Sequence, residues 1–169
     1  LPGWAMANVD SVDITVKGLG GHGAYPHTTK DPIVLAANII TQLQTIVSRK
    51  IAPTDPAVVT VGSIHGGTKH NVIPNEVKLQ LTLRSYTDEV RNETLSSIEK
   101  IVRGSAIAAG LTEEYFPVVE IKDEYTPAVF NNPDLVEKLQ KSFVKSLGSE
   151  NVIKVSPVMG GEDFGMFGR

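Results

Sequence analysis

The sequence predicts a two-layer α/β domain, in which a four-stranded antiparallel sheet carries two helices on one face. Two observations lead to this prediction. Four segments show the polar–apolar alternation or the β-branched content of half-buried strands, and two longer segments place apolar residues at helical spacing. Their order along the chain is β-α-β-β-α-β, which a small antiparallel sheet with two helical connections accommodates.

The first strand is predicted over residues 9–17, where one face is apolar and the other is polar. A helix is predicted from Asp31 and Pro32 to about Arg49, because an N-cap acceptor followed by proline is typical of a helix start. The apolar residues at helical spacing, which we expect to be its buried stripe, are Ile33, Ala36, Ala37, Ile40, Leu43 and Val47.

The remaining elements of the domain follow the same logic. Residues 57–64 are rich in β-branched side chains, and residues 77–84 alternate between inward apolar and outward polar residues. Thr87 predicts the cap of a second helix that ends at Gly110, and residues 115–121 predict the fourth strand. We therefore expect a ferredoxin-like arrangement with the order βαββαβ.

The end of the chain shows a different pattern. An amphipathic helix is predicted after Asn132 and Pro133, and a short strand near residues 152–155. One helix and one short strand cannot enclose a core, so we expect residues 1–122 to be one domain and residues 123–169 a remnant of another. The chain does not begin with methionine, and we expect a fragment of a longer protein, cut by limited proteolysis or by design.

Composition excludes several classes of function. Sixteen Lys and Arg residues against nineteen Asp and Glu residues give a formal charge of −3, without the basic block that nucleic acid binding needs. No apolar run approaches the length of about 18 residues that a membrane span requires. The chain contains no cysteine, which excludes disulfides, thiolate metal ligands and a cysteine nucleophile.

The glycine-dense residues 18–23 match the dinucleotide fingerprint G-x-G-x-x-G, but their context does not fit it. In that motif the helix begins inside the fingerprint, so that its N-terminus meets the pyrophosphate. Here the predicted helix begins only after Pro26, and no acidic residue ends a strand about 20 residues further on. We therefore reject a dinucleotide site.

The four histidines do not show the spacing of a metal site. They are His22, His27, His65 and His70. A metal site needs three or four ligands that converge, and none of these residues lies in a HExxH-type helix. The plain interpretation is loop histidines that bond to backbone groups, and the alternative is that one or two of them donate to a substrate.

Four other polar residues are candidates for a site, each with a structural alternative. Arg84 on the open sheet face can hold a carboxylate through two parallel hydrogen bonds, or can be a solvated surface arginine. Asn71 can offer its amide to a carbonyl, or can serve a turn. Glu162 and Asp163 can act as an acid–base pair, or can complement the dipole at a helix N-terminus.

Six segments form a recognisable set, namely residues 12–18, 20–27, 31–33, 60–67, 71–74 and 160–164. In sequence, order and spacing they resemble the metal-dependent amidohydrolases that cleave N-acyl amino acids. This family includes hippurate hydrolases, auxin-conjugate amidohydrolases and N-acetyl-diaminopimelate deacetylases, and it is one branch of the aminoacylase and carboxypeptidase superfamily of metallopeptidases. The most specific element is Gly-Gly-His-Gly-Ala-Tyr-Pro-His at residues 20–27.

The resemblance implies that residues 1–122 are a lid, also called the dimerisation domain, inserted into a dimetal catalytic domain. Residues 123–169 would return to that catalytic domain. The family's His-x-Cys-Gly-His-Asp ligand motif and its Glu-Glu pair do not occur in this chain. We therefore expect a pair of zinc, manganese, cobalt or nickel ions only in the full-length protein, with no metal bound here and no activity of the fragment alone.

The resemblance also implies the roles of the candidate residues. The reaction would be hydrolysis of the amide of a small N-acyl amino acid, in a cytoplasmic homodimer joined through the lid. His22 would support the oxyanion in the neighbouring subunit, Asn71 and Arg84 would hold the substrate's carbonyl and carboxylate, and Glu162 and Asp163 would lie near the active site. Two competing hypotheses are a stand-alone two-layer α/β module that binds a small ligand without catalysis, and a purely structural dimerisation domain.

Overall fold

The structure, a computed structural model, describes residues 1–168, so that Arg169 of the predicted remnant lies outside it. Its strands are β1 (Gly3–Met6), β2 (Asp10–Lys17), β3 (Gly21–His22), β4 (Ala57–Gly66), β5 (Val72–Ile73), β6 (Glu76–Ser85), β7 (Val118–Ile121) and β8 (Val129–Asn131). Its α-helices are α1 (Pro32–Thr45), α2 (Asp88–Ala108) and α3 (Pro133–Leu147). None of the helices within residues 1–168 combines the length and the apolarity that crossing a bilayer requires.

The main sheet confirms the predicted fold class. Its four strands lie in the order β4-β6-β2-β7, and each neighbouring pair is antiparallel. The two central strands β2 and β6 pair along the whole length of β2, from Asp10 opposite Leu83 to Lys17 opposite Glu76. With α1 and α2 as the connections, this order is the ferredoxin-like arrangement.

The predicted alternation places the core correctly. Every second residue of β2 and β6 is buried, and the apolar ones among them, which face the helices, are Val12, Ile14, Val16, Val77, Leu79, Leu81 and Leu83. They pack against Ile39 and Leu43 of α1 and Ile98 and Val102 of α2. Each such side chain contributes about 1.5–3 kcal/mol when it leaves water, so this cluster is the main source of stability.

The helix starts are confirmed, but the predicted stripe of α1 is partly wrong. Asp31 Oδ1 accepts a hydrogen bond from the Ile33 amide at 2.9 Å, as an N-cap does. The side chains of Ile33 and Val47 are 42% and 40% exposed, whereas the buried residues of this segment are Pro32, Leu35, Ala36, Ile39, Leu43 and Ile46. Because α1 and the π-turn Ile46–Lys50 carry apolar residues on two adjacent faces, helical spacing fits either face.

The two ends of the chain lie together. Strand β1 pairs with β8 in a separate two-stranded sheet, and Met6 forms a parallel bridge with Val158. Where the chain enters and leaves the main sheet, Val9 and Thr126 form an antiparallel bridge, with their N–H···O distances at 2.8 and 3.1 Å. The proposed division at residue 122 stays a prediction.

The tail after β8 is only partly regular. The strand predicted near residues 152–155 does not form, because no strand among the described residues pairs with this segment and Ile153 is 77% exposed. Helix α3 begins as predicted, since Asn132 Oδ1 accepts from the Leu135 amide at 3.0 Å. Its apolar stripe is exposed within residues 1–168 and consists of Leu135, Leu139, Phe143, Val144 and Leu147.

Candidate functional site at two ends of the sheet

The structure brings His22 and Asn71 together at one end of the main sheet. Strands β3 and β5 pair, with His22 opposite Val72. The Gly23 amide donates to the Asn71 carbonyl at 2.8 Å, so the two predicted site residues lie on adjoining loops. We call this region, defined by His22, Asn71 and the paired strands β3 and β5, the histidine end.

Close backbone approach explains the glycines of this loop. A Cβ atom on Gly20 would lie 2.6 Å from the Ile73 carbonyl oxygen, and one on Gly23 would lie 3.1 Å from the Asn71 carbonyl oxygen. The Gly20 amide also donates to Asn75 Oδ1 at 2.9 Å. The glycines therefore let the His22 loop lie against residues 71–75. This close approach explains why the segment is rich in glycine although it is not a dinucleotide site.

His22 itself is exposed and ordered by its own turn. Its ring Nδ1 accepts a hydrogen bond from the Ala24 amide at 3.1 Å. The ring lies 5.7 Å from the ring of Tyr25, which in turn lies 6.3 Å from that of His27. The side chains of His22, His27 and Asn71 are all exposed, so this end displays polar groups to the surroundings.

Arg84 lies at the opposite end of the sheet, in an open cleft of about 520 Å³. One wall is Val9, Thr82 and Thr126, and the other is residues 159–163. A Cβ atom on Gly161 would overlap the Val9 side chain and lie 3.0 Å from Arg84 Nη1, so only glycine lets this backbone approach the guanidinium. We call this region the arginine cleft.

The guanidinium of Arg84 is half-buried and has no carboxylate within ion-pairing distance among the described residues. Glu162 and Asp163 line the same cleft, so the structure brings these three predicted residues together. Glu162 Oε1 accepts from the Phe164 amide at 3.3 Å, and Asp163 begins the 3₁₀ turn Asp163–Gly168. This geometry agrees with the structural alternative for the acidic pair, the start of a helical turn.

The histidine end and the arginine cleft are far apart within one chain. Strand β5 immediately precedes β6, and Arg84 lies near the far end of β6. A strand rises about 3.4 Å per residue, so Arg84 lies roughly 25 Å from the start of β6. One small substrate therefore cannot touch His22 and Arg84 of the same chain.

A buried polar network, which was not predicted from the sequence, lies next to Arg84. Asp10 is fully buried, and Arg91 binds both of its carboxylate oxygens, with Nη2 2.6 Å from Oδ1 and Nε 2.9 Å from Oδ2. Hydrogen bonding to Asp10 raises the pKa of Arg91 above its ordinary value. The ring of Tyr125 lies 4.3 Å from the Arg91 guanidinium carbon.

Asn8 connects this network to the strand that carries Arg84. Its Nδ2 donates to Asp10 Oδ2 at 2.8 Å, and its Oδ1 accepts from the Ser85 amide at 2.7 Å. Arg84 thus lies between Leu83, which pairs with Asp10, and Ser85, which is bonded to Asn8. The sequence did contain a sign that Asp10 is buried, because Asp10 precedes the inward-facing residues 12, 14 and 16 in the same two-residue alternation.

The described residues do not fit a metal pair. Within residues 1–168, no three or more His, Asp or Glu side chains converge on a point where an ion can bind. His22 lies on the loop of the histidine end, whereas His65 lies on β4. No chemical step through a metal can therefore be assigned to this part of the polypeptide.

A family model described as "Peptidase dimerisation domain" (M20_dimer) matches residues 5–109. Among curated proteins, N-acetyldiaminopimelate deacetylase of Streptococcus sanguinis is 41% identical over 163 residues, which are 96% of this chain and 42% of that protein. Thermostable carboxypeptidase 1 of Saccharolobus solfataricus is 35% identical over 162 residues, 96% of this chain and 39% of that protein. The chain thus spans about two fifths of the length of these relatives.

Solved structures agree with the fold. A protein of methicillin-resistant Staphylococcus aureus, named as an aminohydrolase, superimposes with a TM-score of 0.84 at 30% identity, covering 99% of this chain and 42% of that one. The YXEP protein of Bacillus subtilis, described as a dinuclear metal-binding peptidase of the M20 family, gives a TM-score of 0.70 at 27% identity, covering 99% and 39%.

Proposed function

The chain belongs to the M20 peptidase dimerisation-domain family, and we propose on that premise that it is the lid and dimerisation part of an amidohydrolase. The proposed reaction is hydrolysis of the amide bond of an N-acyl amino acid, which yields an acyl group and a free amino acid. The similarity to relatives named deacetylase and carboxypeptidase supports this proposal, as does the agreement over nearly the whole chain.

One observation carries the proposal, namely that the candidate residues divide between two ends of the sheet. Arg84 faces a cleft whose second wall is the tail of its own chain, whereas His22 and Asn71 project from the far end. We therefore propose that each site combines Arg84 of one subunit with residues of the histidine end of the partner. The partner subunit's His22 and the partner's Asn71 would complete the site.

The chemistry of each side chain suits its proposed role. The Arg84 guanidinium can hold the free carboxylate of the amino acid half through two parallel hydrogen bonds. The Asn71 amide can donate to the substrate's carbonyl. The His22 imidazole can donate to the oxygen that gains negative charge, and a donor of this kind contributes about 10²–10³ in rate. Glu162 and Asp163 we place beside the site, where they shape the cleft.

The metals have to be held elsewhere in this proposal. The divalent pair of zinc, manganese, cobalt or nickel would bind to polypeptide outside the described residues, which offer no ligand set. We therefore propose that the chain alone is inactive. Metal analysis and an N-acyl-amino-acid hydrolysis assay test this on the chain and on the full-length gene product. A full-length product without metal and without hydrolysis would leave only a dimerisation or ligand-binding module.

The arrangement across two subunits is tested by mixing two defective enzymes. We expect His22→Ala and Arg84→Ala to lower kcat or kcat/KM strongly in the full-length homodimers, with the dimers intact. A mixed dimer holds one site with both defects and one with neither, so random 1:1 pairing should restore about a quarter of the wild-type activity. No recovery in verified mixed dimers would show that His22 and Arg84 do not meet across the subunit boundary.

The dimer itself has a candidate surface. Among the described residues, β4 lies at the edge of the sheet and pairs only with β6, so one row of its backbone groups is available to a second copy. We propose a homodimer related by a two-fold axis, formed through this edge or a neighbouring helix. Sedimentation that shows only monomers at micromolar concentration would contradict it. The cytoplasmic location stays a prediction.

A further inference from the structure

The loop that carries His22 contains a turn whose hydrogen bonds reach the imidazole ring. The Tyr25 amide donates to the His22 carbonyl at 2.9 Å, which closes a four-residue turn. Inside this turn the Ala24 amide donates to Nδ1 of the His22 ring at 3.1 Å. The side chain of His22 therefore caps the turn that its own backbone begins.

This contact has a chemical consequence for the ring. A neutral imidazole carries one N–H donor and one acceptor nitrogen, and the partner of one nitrogen decides the state of the other. Because the Ala24 amide occupies the lone pair of Nδ1, the proton of neutral His22 has to be on Nε2. The ring is exposed, so this donor is available to a molecule outside the loop.

Tyr25 adds a second restraint. Its ring centroid lies 5.7 Å from that of His22, with the ring planes inclined at 54°. Tyr25 is 58% exposed, so this contact lies at the surface, where it packs on one side of the His22 ring and adds little to the core. On its other side Tyr25 meets His27 edge-on, at 6.3 Å and 79°.

We propose that the turn of residues 22–25 selects the Nε2–H tautomer of the neutral His22 ring, with Ala24 and Tyr25 as positioning residues. The inference deepens the proposed function and rests on it for its catalytic meaning. A donor whose proton and orientation are set before the substrate arrives needs no rearrangement when charge develops. The same geometry disfavours a general-base role for Nδ1, because its lone pair is already engaged.

The tautomer is tested directly by long-range ¹H–¹⁵N correlation spectra of the ¹⁵N-labelled protein. His22→Phe assigns the His22 signals, and His70 serves as an internal reference, since no hydrogen bond to its ring occurs within residues 1–168. We expect the neutral His22 ring to show the Nε2–H pattern at a higher fraction than His70. A fraction equal to that of His70, or a predominant Nδ1–H pattern, would overturn the proposal.

Amide hydrogen exchange tests the hydrogen bond itself. His22→Phe keeps a ring but removes the acceptor, so exchange of the Ala24 amide should accelerate by roughly 3- to 10-fold. The Tyr25 amide is the matched control, because its acceptor is the backbone carbonyl of residue 22, which the substitution leaves in place. Unchanged exchange at Ala24, with Tyr25 still protected, would overturn the hydrogen bond to the ring.

The positioning role of Tyr25 is tested in the full-length enzyme. Tyr25→Ala should lower kcat by roughly tenfold with KM unchanged, and Tyr25→Phe should retain activity because it keeps the ring. Equal losses in both variants would overturn this role. The two proposals fail separately: a full-length product without hydrolysis removes the proposed function but not the tautomer, an unchanged kcat in His22→Ala removes only the catalytic role of His22, and an unbiased tautomer with a large His22→Ala effect removes only this inference.

Discussion

The histidine end and the arginine cleft are built in opposite ways. At the histidine end the candidate side chains are exposed, and the loop that carries them is held by backbone pairing and by glycines at close approach. Beside the arginine cleft, the fully buried carboxylate of Asp10 accepts hydrogen bonds from Arg91 and Asn8. Arg84 follows directly after Leu83, the residue of β6 that pairs with Asp10. The first region orders its groups without burying them, whereas the second orders them by packing.

In the proposed arrangement, this difference lets one small domain contribute to two sites. Arg84 can be half-buried, because its cleft is formed by segments of its own chain. A group that serves a second molecule has to stay exposed, and its order has to come from turns, strand pairing and hydrogen bonds. The comparison predicts that substitutions in the buried network beside the arginine cleft change stability, whereas substitutions at the histidine end change rate.

The largest effect is expected from Arg91→Met. The substitution leaves the buried Asp10 carboxylate without its charged partner, so the free energy of unfolding should fall by about 3–5 kcal/mol. Urea unfolding measures it. The double variant Asp10→Leu with Arg91→Met is the control and should recover much of the loss. His22→Ala at the other end should change the free energy of unfolding by less than about 1 kcal/mol, and comparable losses at both ends would contradict the comparison.

Arg84→Ala should act on binding. Loss of a bidentate contact to a carboxylate costs about 1.5–3 kcal/mol, so kcat/KM of the full-length enzyme should fall about 10- to 100-fold for N-acyl amino acids. Substrates whose carboxylate is replaced by an amide should lose much less. Arg84→Lys is the matched variant that keeps the charge but not the planar fork. Equal losses for acid and amide substrates would leave Arg84 a structural residue.

Gly161→Ala tests the close approach in the arginine cleft. The new Cβ atom overlaps Val9 and crowds Arg84 Nη1, so the substitution should destabilise the protein by about 1–3 kcal/mol. Gly160→Ala is the control, because its Cβ atom would meet Met6 Cε at 3.5 Å and Val158 Cγ2 at 4.0 Å, which are ordinary contacts. Thermal unfolding of both variants measures the difference, and equal midpoints would mean that the backbone of residue 161 adjusts freely.

The smallest effect is expected at Lys122, which belongs to neither region. Hydrogen bonds with Glu120 and Asp13 raise the pKa of Lys122 from its ordinary 10.5 to about 12. A raised pKa in the folded state gives stabilisation that is full below pH 10.5 and is lost as the pH rises through about 12. Lys122 is partly exposed, so Lys122→Met should lower the unfolding midpoint only slightly at pH 9 and not at all above pH 12. A large effect, or one that persists at high pH, would contradict this.

Much of the fold could be predicted because its strands alternate and its helices have recognisable caps. The buried side of residues 77–84 was predicted correctly, because polar and apolar residues alternate strictly and only one face of the strand is apolar. The buried face of α1 could not be chosen, because apolar residues occupy two of its faces. The short strand near residue 153 was predicted from composition alone, and no partner strand exists for it among the described residues.

The candidate site residues could be named one by one from the sequence and the resemblance, but their arrangement could not. His22 and Asn71 meet through two strands of two residues each, which are too short to leave a periodic pattern. Arg84 meets residues 159–163 because the tail returns to β1, where the Ala7 amide bonds to the Gly160 carbonyl at 3.0 Å. Contacts of this kind depend on the whole chain being folded, so local sequence cannot reveal them.

The bridge between Val9 and Thr126 has a consequence for inserting the main sheet and its helices into another protein. The polypeptide passes into the main sheet and out of it through two adjacent, hydrogen-bonded segments. A unit whose two attachment points coincide can be spliced into a surface loop of an unrelated host without stretching it. A segment from Val9 to Thr126 therefore begins and ends at adjacent points, and grafting it between the ends of a short host hairpin would test whether it folds on its own.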